Sequence, residues 1–392
     1  MPTSQSRTLR NTAVFTLTLL AIEFLDEFVF GAREAAWPLI RADLGLSYAH
    51  VGLLLSLPSV VSSLVEPFLG ILGDVWKRRA LILGGGGVFT LALLLTALSQ
   101  SFPSLLISFI LFYPASGAFV TLSQATLMDA NPTRREQNMA RWTLAGSLGV
   151  VSGSAALGAV AALGMGWRGL FLLFAGLTLL LLTVAYRIPT LPHPHTPRKP
   201  FFKTGVVNAL RALRRGEVLR WLTLLEFSDL MLDVLLGFLA LYFVDVVDAT
   251  PAQAGAAVAV CTGLGLLGGL LLIPLLERVR GLRYLRLSAV VELVLFPAFL
   301  LVPGVWAKIA LLGLLGLFSA GWYSVLQAQL YSAMPGQSGT VMAVGNMFGL
   351  VGGLIPLGLG LVAERFDLMV TMWLLLLGPL ALLIGITKRV RE

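Results

Sequence analysis

Apolar residues occur along this chain in blocks of about 20, separated by short polar segments. A helix needs about 20 residues to cross a hydrocarbon core about 30 Å thick, so each block predicts one transmembrane α-helix. Segments of about ten residues in which apolar and polar positions alternate, which are typical of a transmembrane β-barrel, do not occur. The twelve predicted spans are 11–33, 48–72, 80–100, 103–128, 141–164, 167–187, 218–244, 252–276, 285–303, 306–333, 339–362 and 367–387.

Basic residues are distributed unevenly between the two predicted sides of the membrane. With both chain ends on the inner side, 23 of the 28 Lys and Arg residues fall in inner segments. This follows the positive-inside rule and predicts N-in, C-in topology. The same distribution accounts for the net charge of +8 through contact with anionic lipid, so we expect no nucleic-acid partner. We expect the first apolar block to remain as a helix and not to be cleaved as a signal peptide.

The longest inner loop divides the spans into two groups of six. Its first part is rich in proline, and residues 201–215 show amphipathic, basic spacing that predicts a helix on the inner membrane surface. A Glu-Phe-x-Asp motif begins at Glu23 and again at Glu226, which indicates a parallel repeat. The predicted domains are an N-terminal six-helix bundle (1–187), a linker (188–217) and a pseudo-symmetric C-terminal six-helix bundle (218–392).

Acidic residues at mid-membrane depth are the main candidate functional groups. A carboxylate at the centre of a transmembrane helix costs about 2.5–3.5 kcal/mol, so such residues are usually functional. The acids of each helix project within an arc of about 100° or less. No Lys, Arg or His lies at matching depth, and Arg33 is expected to screen the outer mouth. The candidate proton- or cation-coupling and substrate residues are Glu23, Asp26, Glu27, Glu226, Asp229 and Asp233.

Repulsion and desolvation favour the protonated form of some of these acids, as a proton-coupling site requires. The same acids would attract a cationic substrate, or bind Na⁺ or a divalent metal ion through oxygen ligands. An anionic substrate fits poorly without a buried arginine to pair with it. Glu292 in the ninth span is expected to be structural, as is the single cysteine, Cys261.

The segment 70–79 between the second and third spans, Gly-Ile-Leu-Gly-Asp-Val-Trp-Lys-Arg-Arg, resembles a signature of the major facilitator superfamily, G-x-L-[AG]-D-R-x-G-R-[KR]. Val75 and Lys77 depart from the usual Arg and Gly. The resemblance implies a gating role for Gly70, Gly73, Asp74, Arg78 and Arg79.

The segment 62–70 is similar to the S-x-L-x-Q-P-x-x-G run of the fosmidomycin-resistance-like, drug-efflux branch, with Glu66 in place of the amide. Proton-driven drug antiporters usually carry an arginine on the fourth helix, where this chain has Tyr113. This departure weakens an antiporter assignment.

The family resemblance also implies that the first, fourth, seventh and tenth helices line a central cavity. Aromatic side chains there would hold an organic cation, and amides would orient polar groups. The candidate cavity-lining residues are Tyr113, Gln124, Trp322, Tyr323, Gln327 and Asn346.

Together these features predict an all-α secondary transporter of the cell (inner) membrane, working as a monomer by alternating access. We predict proton-coupled export of a cationic or amphiphilic small molecule. The alternatives are H⁺- or Na⁺-coupled uptake of a neutral solute such as a sugar, export of a divalent metal ion, and a non-transporting receptor or lipid scramblase. We expect no enzymatic activity, no resident metal and no cofactor beyond the coupling ion, because neither a nucleotide-binding glycine loop nor a nucleophile–base pair is found.

Overall fold

The computed structural model describes residues 4–75, 78–130, 135–162, 166–187, 211–334 and 338–387. We number its helices in chain order and keep the segments of an interrupted helix under one label. The first six are α1 (Ser4–Leu44), α2 (Tyr48–Val75), α3 (Arg78–Leu98), α4 (Phe102–Ser116, Gly117–Thr121 and Leu122–Ala130), α5 (Arg135–Ala162) and α6 (Trp167–Arg187). The others are α7 (Gly216–Asp229, Leu230–Val234 and Leu235–Asp245), α8 (Pro251–Leu276), α9 (Gly281–Leu301), α10 (Val305–Ser319 and Trp322–Ala333), α11 (Ser338–Gly352 and Ile355–Arg365) and α12 (Leu368–Leu374 and Leu377–Thr387).

The described secondary structure is helical, as predicted. Ten helices in the described ranges are long and apolar enough to cross a membrane. The other two are α1, which carries three of the candidate acids, and α5. The helical membrane fold is therefore confirmed, while the count of twelve spans and the N-in, C-in orientation stay predictions.

Several helices are irregular in their middle. The segments Gly117–Thr121 of α4 and Leu230–Val234 of α7 are π-turns, a feature that is frequent at functional sites. α10 is broken at Gly321, whose φ of +80° suits a residue without Cβ. The hydroxyl of Tyr284 donates to the carbonyl of Ala320 over 2.7 Å beside this break. A side chain of the protein thus gives this backbone carbonyl a hydrogen bond that lipid could not supply.

By its internal contacts the chain divides into two compact units. Unit 1 comprises Met1–Arg33 and Leu57–Pro200, and unit 2 comprises Glu34–Ser56 and Phe201–Glu392. The units follow the predicted halves except at 34–56, where the end of α1 and the start of α2 belong with unit 2. The predicted domain boundaries stay a prediction, and most of the predicted linker helix, residues 201–210, lies outside the described residues.

Candidate functional site

In unit 1, α4 and α5 hold the first two acids of α1. Glu23 is only 8% exposed, and Trp142 on α5 lies beside its carboxylate. Asp26 faces α4, where the hydroxyl of Ser116 donates to Oδ1 over 2.8 Å. The part-buried carboxylate of Asp26 therefore has a donor supplied from within unit 1.

Glycines allow α5 to approach α1 closely at this acidic turn. A Cβ at Gly146 would lie 2.6 Å from Oε1 of Glu23, and one at Gly149 would lie 2.9 Å from Cβ of Glu27. Larger residues at these positions would force the helices apart or displace the acids. These two glycines therefore have a steric role, because they let α5 pack against Glu23 and Glu27.

A fourth carboxylate joins this group from α2. Ser62 donates from Oγ to Oε1 of Glu66 over 2.7 Å. The Glu66 side chain lies over the π-turn of α4, since a Cβ at Gly117 would be 2.9 Å from the same oxygen. Glu66 is also an electrostatic neighbour of Asp26. Unit 1 therefore brings acids from two helices together beside a π-turn.

Arg33 is buried inside unit 1, and this corrects the expectation that it screens an open outer mouth. Its side chain is 4% exposed, and Nη1 donates to the hydroxyl of Tyr113 over 2.9 Å. The guanidinium lies 5.0 Å from the ring centroid of Phe30 and 5.9 Å from that of Phe109. Arg33 is an electrostatic neighbour of Asp26. Helical spacing places Arg33 on the same face of α1 as Asp26, and the structure adds that aromatic side chains enclose the guanidinium.

In unit 2, α7 presents its three acids in a more open setting. Glu226 and Asp229 are half-buried, and Asp233 is exposed. The carboxylate of Glu226 occupies the place that a Cβ at Gly352 of α11 would take. Asp233 lies in the π-turn of α7 and is an electrostatic neighbour of Asp229. This π-turn lies within the helix that carries the acids, whereas in unit 1 it lies on a neighbouring helix.

Two aromatic residues that the sequence proposed as cavity lining have opposite environments. Tyr323 is 58% exposed, with Asp229 and Asp233 as acidic neighbours. Trp322 is fully buried, and its Nε1 donates to Oγ of Ser288 over 2.7 Å. Trp322 is therefore a core residue of unit 2, and we do not retain it as a lining residue.

The three amide candidates are less closely tied to the acids. Gln124 on α4 is half-buried, and its Nε2 donates to Sδ of Met139 on α5 over 3.7 Å. Gln327 is half-buried on α10. Asn346 belongs to α11, and its side chain lies outside the described residues. The contact of Gln124 ties two helices together and does not involve an acid.

The predicted gating motif spans the end of α2 and the start of α3. The side-chain environments of Gly70, Gly73 and Asp74 lie outside the described residues. Arg78 and Arg79 begin α3, and Nη2 of Arg79 donates to the carbonyl of Tyr186 over 2.5 Å. This places a cation at the C-terminal end of α6, where the helix dipole favours it.

Sequence reasoning missed a polar network in unit 2 that starts from segment 34–56. Arg41 and Asp245 form an ion pair of 2.6 Å, and the hydroxyl of Tyr48 donates to the same carboxylate over 2.8 Å. The backbone N–H of Tyr48 donates to Glu364 over 2.9 Å. These residues are far apart in sequence and follow no motif, so only the fold brings them together.

Close packing accompanies this network. A Cβ at Gly52 would lie 2.6 Å from the carbonyl of Pro356, and the backbone N–H of Leu357 donates to Oγ of Ser56 over 2.8 Å. Glu34, which is 2% exposed, accepts a hydrogen bond of 3.1 Å from Nε1 of Trp37. Segment 34–56 is therefore held in unit 2 by both backbone and side-chain contacts.

With this geometry in place, comparison with known proteins identifies the family. The sequence profile of the Major Facilitator Superfamily matches residues 19–357. The chain belongs to this superfamily. It is therefore a multi-pass membrane protein of the Major Facilitator type.

Two curated relatives are named only as uncharacterised transporters of this type. One, from Yersinia pestis, is 27% identical over 256 residues, which is 62% of each chain. The other, from Mycobacterium tuberculosis, is 29% identical over 191 residues, 47% of this chain and 33% of the relative. The matched regions thus span less than two thirds of either relative, and neither name gives a substrate.

Solved structures support the fold at low sequence identity. The nucleoside transporter NupG gives a TM-score of 0.77 at 14% identity, covering 96% of this chain and 99% of that one. A bacterial homologue of the human lysosomal transporter Spinster gives 0.74 at 16% identity, covering 96% and 94%. At these identities the likeness shows the Major Facilitator fold alone.

Proposed function

We propose that this protein is a proton-coupled exporter of a cationic or amphiphilic small molecule, working by alternating access. The observation that supports this is the position of the acids: each unit places membrane carboxylates beside a π-turn. Intramembrane acids are costly and characteristically mark proton or ion pathways. Carboxylates can exchange protons and attract a cation, so one set of groups can serve both coupling and recognition.

The two units suggest different contributions to this activity. In unit 1, Glu23 is buried and Asp26 accepts a hydrogen bond from Ser116, which suits proton exchange at fixed positions. In unit 2, the exposed ring of Tyr323 lies near the acids of α7, which suits an organic cation through cation–π and charge attraction.

Cation-coupled uptake of a neutral solute is the second candidate. It is motivated by the nucleoside transporter among the structural neighbours, whose named substrate class is neutral. Divalent metal export is less favoured, since in the described ranges no group of three or more His, Cys, Asp or Glu side chains is placed to bind a metal ion.

The decisive experiment uses purified protein in liposomes with a trapped pH dye and an imposed pH gradient, without Na⁺. Tetraphenylphosphonium, a nucleoside, a sugar and Mn²⁺ are added separately. We expect the organic cation to cause proton movement, which falls at least about tenfold in Asp26→Asn and in Asp229→Asn. Glu277→Gln, which alters an exposed acid at the end of α8, is the matched control and should transport normally.

Each alternative has its own signature in this experiment. A response to the nucleoside or sugar, with none to the organic cation, would favour cation-coupled uptake of a neutral solute over export of a cation. Transport that appears only when Na⁺ is added would replace proton coupling. Full activity in both Asn variants would remove the acids of α1 and α7 from the mechanism.

A further inference from the structure

A buried carboxyl group that plays no part in the proposed transport site lies in the core of unit 2. Glu292, on α9, is 0% exposed. Neither of its carboxylate oxygens has a hydrogen-bond partner in the part of the chain that the structure describes. Native proteins rarely leave a buried polar group unpaired, so this side chain needs an explanation.

The groups on the neighbouring helices do not balance a negative charge at this position. On α8 the titratable side chain is Cys261, which is buried. On α9 itself Tyr284 directs its hydroxyl to the carbonyl of Ala320, and Arg283 and Arg286 are exposed. The described residues of α12 include no ionisable side chain.

The buried cation of α10, Lys308, is already engaged. Its ammonium group donates to the carbonyls of Phe299 and Leu300, each over 2.8 Å, and to the hydroxyl of Tyr242 over 3.0 Å. An ammonium group has three N–H donors, so these acceptors use all of them. Lys308 is therefore not a counter-ion for Glu292. The remaining titratable residues of α10, Tyr323 and Tyr331, are exposed.

Close helix packing restricts access to this part of unit 2. Gly316 of α10 packs directly against the carbonyl of Cys261 on α8. A Cβ at Gly313 would meet side-chain atoms of both Leu264 and Val260. Backbone approach of this kind leaves no room for a bulky counter-ion between α8 and α10.

We propose that Glu292 is a proton-binding site in the core of unit 2, which keeps its proton while α8, α9 and α10 are packed together. An ionised carboxylate without a partner would lose its hydration and gain nothing in return, whereas a bound proton removes the charge. Exchange of this proton requires the three helices to separate. The inference does not depend on the proposed function, because it concerns none of the acids of α1 or α7.

Infrared difference spectroscopy of the full-length protein in lipid nanodiscs tests the proposal directly. The spectrum of wild type minus Glu292→Gln at neutral pH should show one carboxylic-acid C=O stretch, and no lost carboxylate band. Transfer into D₂O should shift this band slowly, as expected for a shielded proton. Glu277→Gln, the exposed acid on the neighbouring helix end, should show the opposite pattern, with loss of a carboxylate band.

A carboxylate band in the Glu292 difference spectrum would overturn the proposal, since the group would then be ionised. A C=O band that shifts at once in D₂O would contradict the inference that α8, α9 and α10 shield this proton from exchange. If Glu292→Gln does not fold, Glu292→Asp replaces it. Shortening the side chain should then shift the C=O band without converting it into a carboxylate band.

Discussion

The two acidic clusters begin from the same Glu-Phe-x-Asp motif but have different surroundings. In unit 1, Glu23 is buried and Asp26 is hydrogen-bonded by Ser116, with Arg33 close by. In unit 2, Glu226 and its neighbours are half-buried or exposed. A sequence repeat therefore places the carboxylates on equivalent helices, while the helices packed around them decide how each carboxylate is held.

This difference supports a division of roles. A carboxylate with a fixed donor keeps one geometry through proton exchange, whereas an exposed carboxylate beside Tyr323 can adapt to a ligand. The comparison can be tested by changing the residues that contact each cluster and leaving the acids themselves intact.

The largest effect is expected from the glycines that contact the two glutamates. Gly146→Leu would push a side chain into buried Glu23, and overpacking of this kind costs about 1–3 kcal/mol. Gly352→Leu should cost less, because half-buried Glu226 can turn toward solvent. Thermal unfolding of the purified variants in detergent measures both. Gly176→Leu, where an added Cβ meets nothing within 4 Å, is the control. Equal losses of thermal stability in Gly146→Leu and Gly352→Leu would contradict the distinction between an enclosed and an open acidic cluster.

A comparable effect, on coupling instead of stability, is expected from removing the donor to Asp26. Ser116→Ala leaves that carboxylate without its 2.8 Å hydrogen bond, and hydrogen bonds to charged groups contribute about 1.5–3 kcal/mol. We expect substrate-linked proton movement to fall by about tenfold or more. Ser332→Ala, which alters an exposed hydroxyl bonded within its own helix, should have no effect. Normal coupling in Ser116→Ala would show that the donor does not contribute.

The corresponding change in unit 2 should affect ligand binding and leave protein stability unchanged. Tyr323→Ala removes the exposed ring, and we expect tetraphenylphosphonium to bind about tenfold more weakly, since a desolvated cation–π contact contributes about 1–2 kcal/mol. Tyr323→Phe retains the ring and should bind nearly as wild type. Equilibrium binding by calorimetry distinguishes them. If the phenylalanine variant binds as weakly as the alanine variant, the hydroxyl is the important group and the cation–π role is wrong.

The smallest effect is expected at the ion pair between Arg41 and Asp245. The pair is short at 2.6 Å but partly exposed, with side chains 27% and 22% accessible. Pairs of this kind contribute about 0.2–1 kcal/mol. A double-mutant cycle with Arg41→Gln and Asp245→Asn, measured by unfolding at low and high salt, should give a coupling energy in that range that decreases with salt. A coupling well above this range would show that the pair is essential to unit 2.

Several features of the fold were predictable because they depend on local composition. The apolar blocks of about 20 residues predicted the helices, because a span is specified by local hydrophobic length. The burial of Arg33 and of Trp322 was not predicted, for one reason. Helical spacing gives the direction of a side chain from its own axis, but it does not tell which neighbour the side chain meets.

The amino-acid sequence by itself determined the helical membrane fold, the superfamily and the helices that carry the acids. These follow from hydrophobicity, helix geometry and a local motif, all of which act within one segment of chain. Only the tertiary structure decided that Arg33 is buried against Tyr113 and that Glu292 is left without a partner among the described residues. It also decided that segment 34–56 belongs with unit 2. Each of these depends on contacts between helices distant in sequence, where packing and desolvation select a partner that no local pattern encodes.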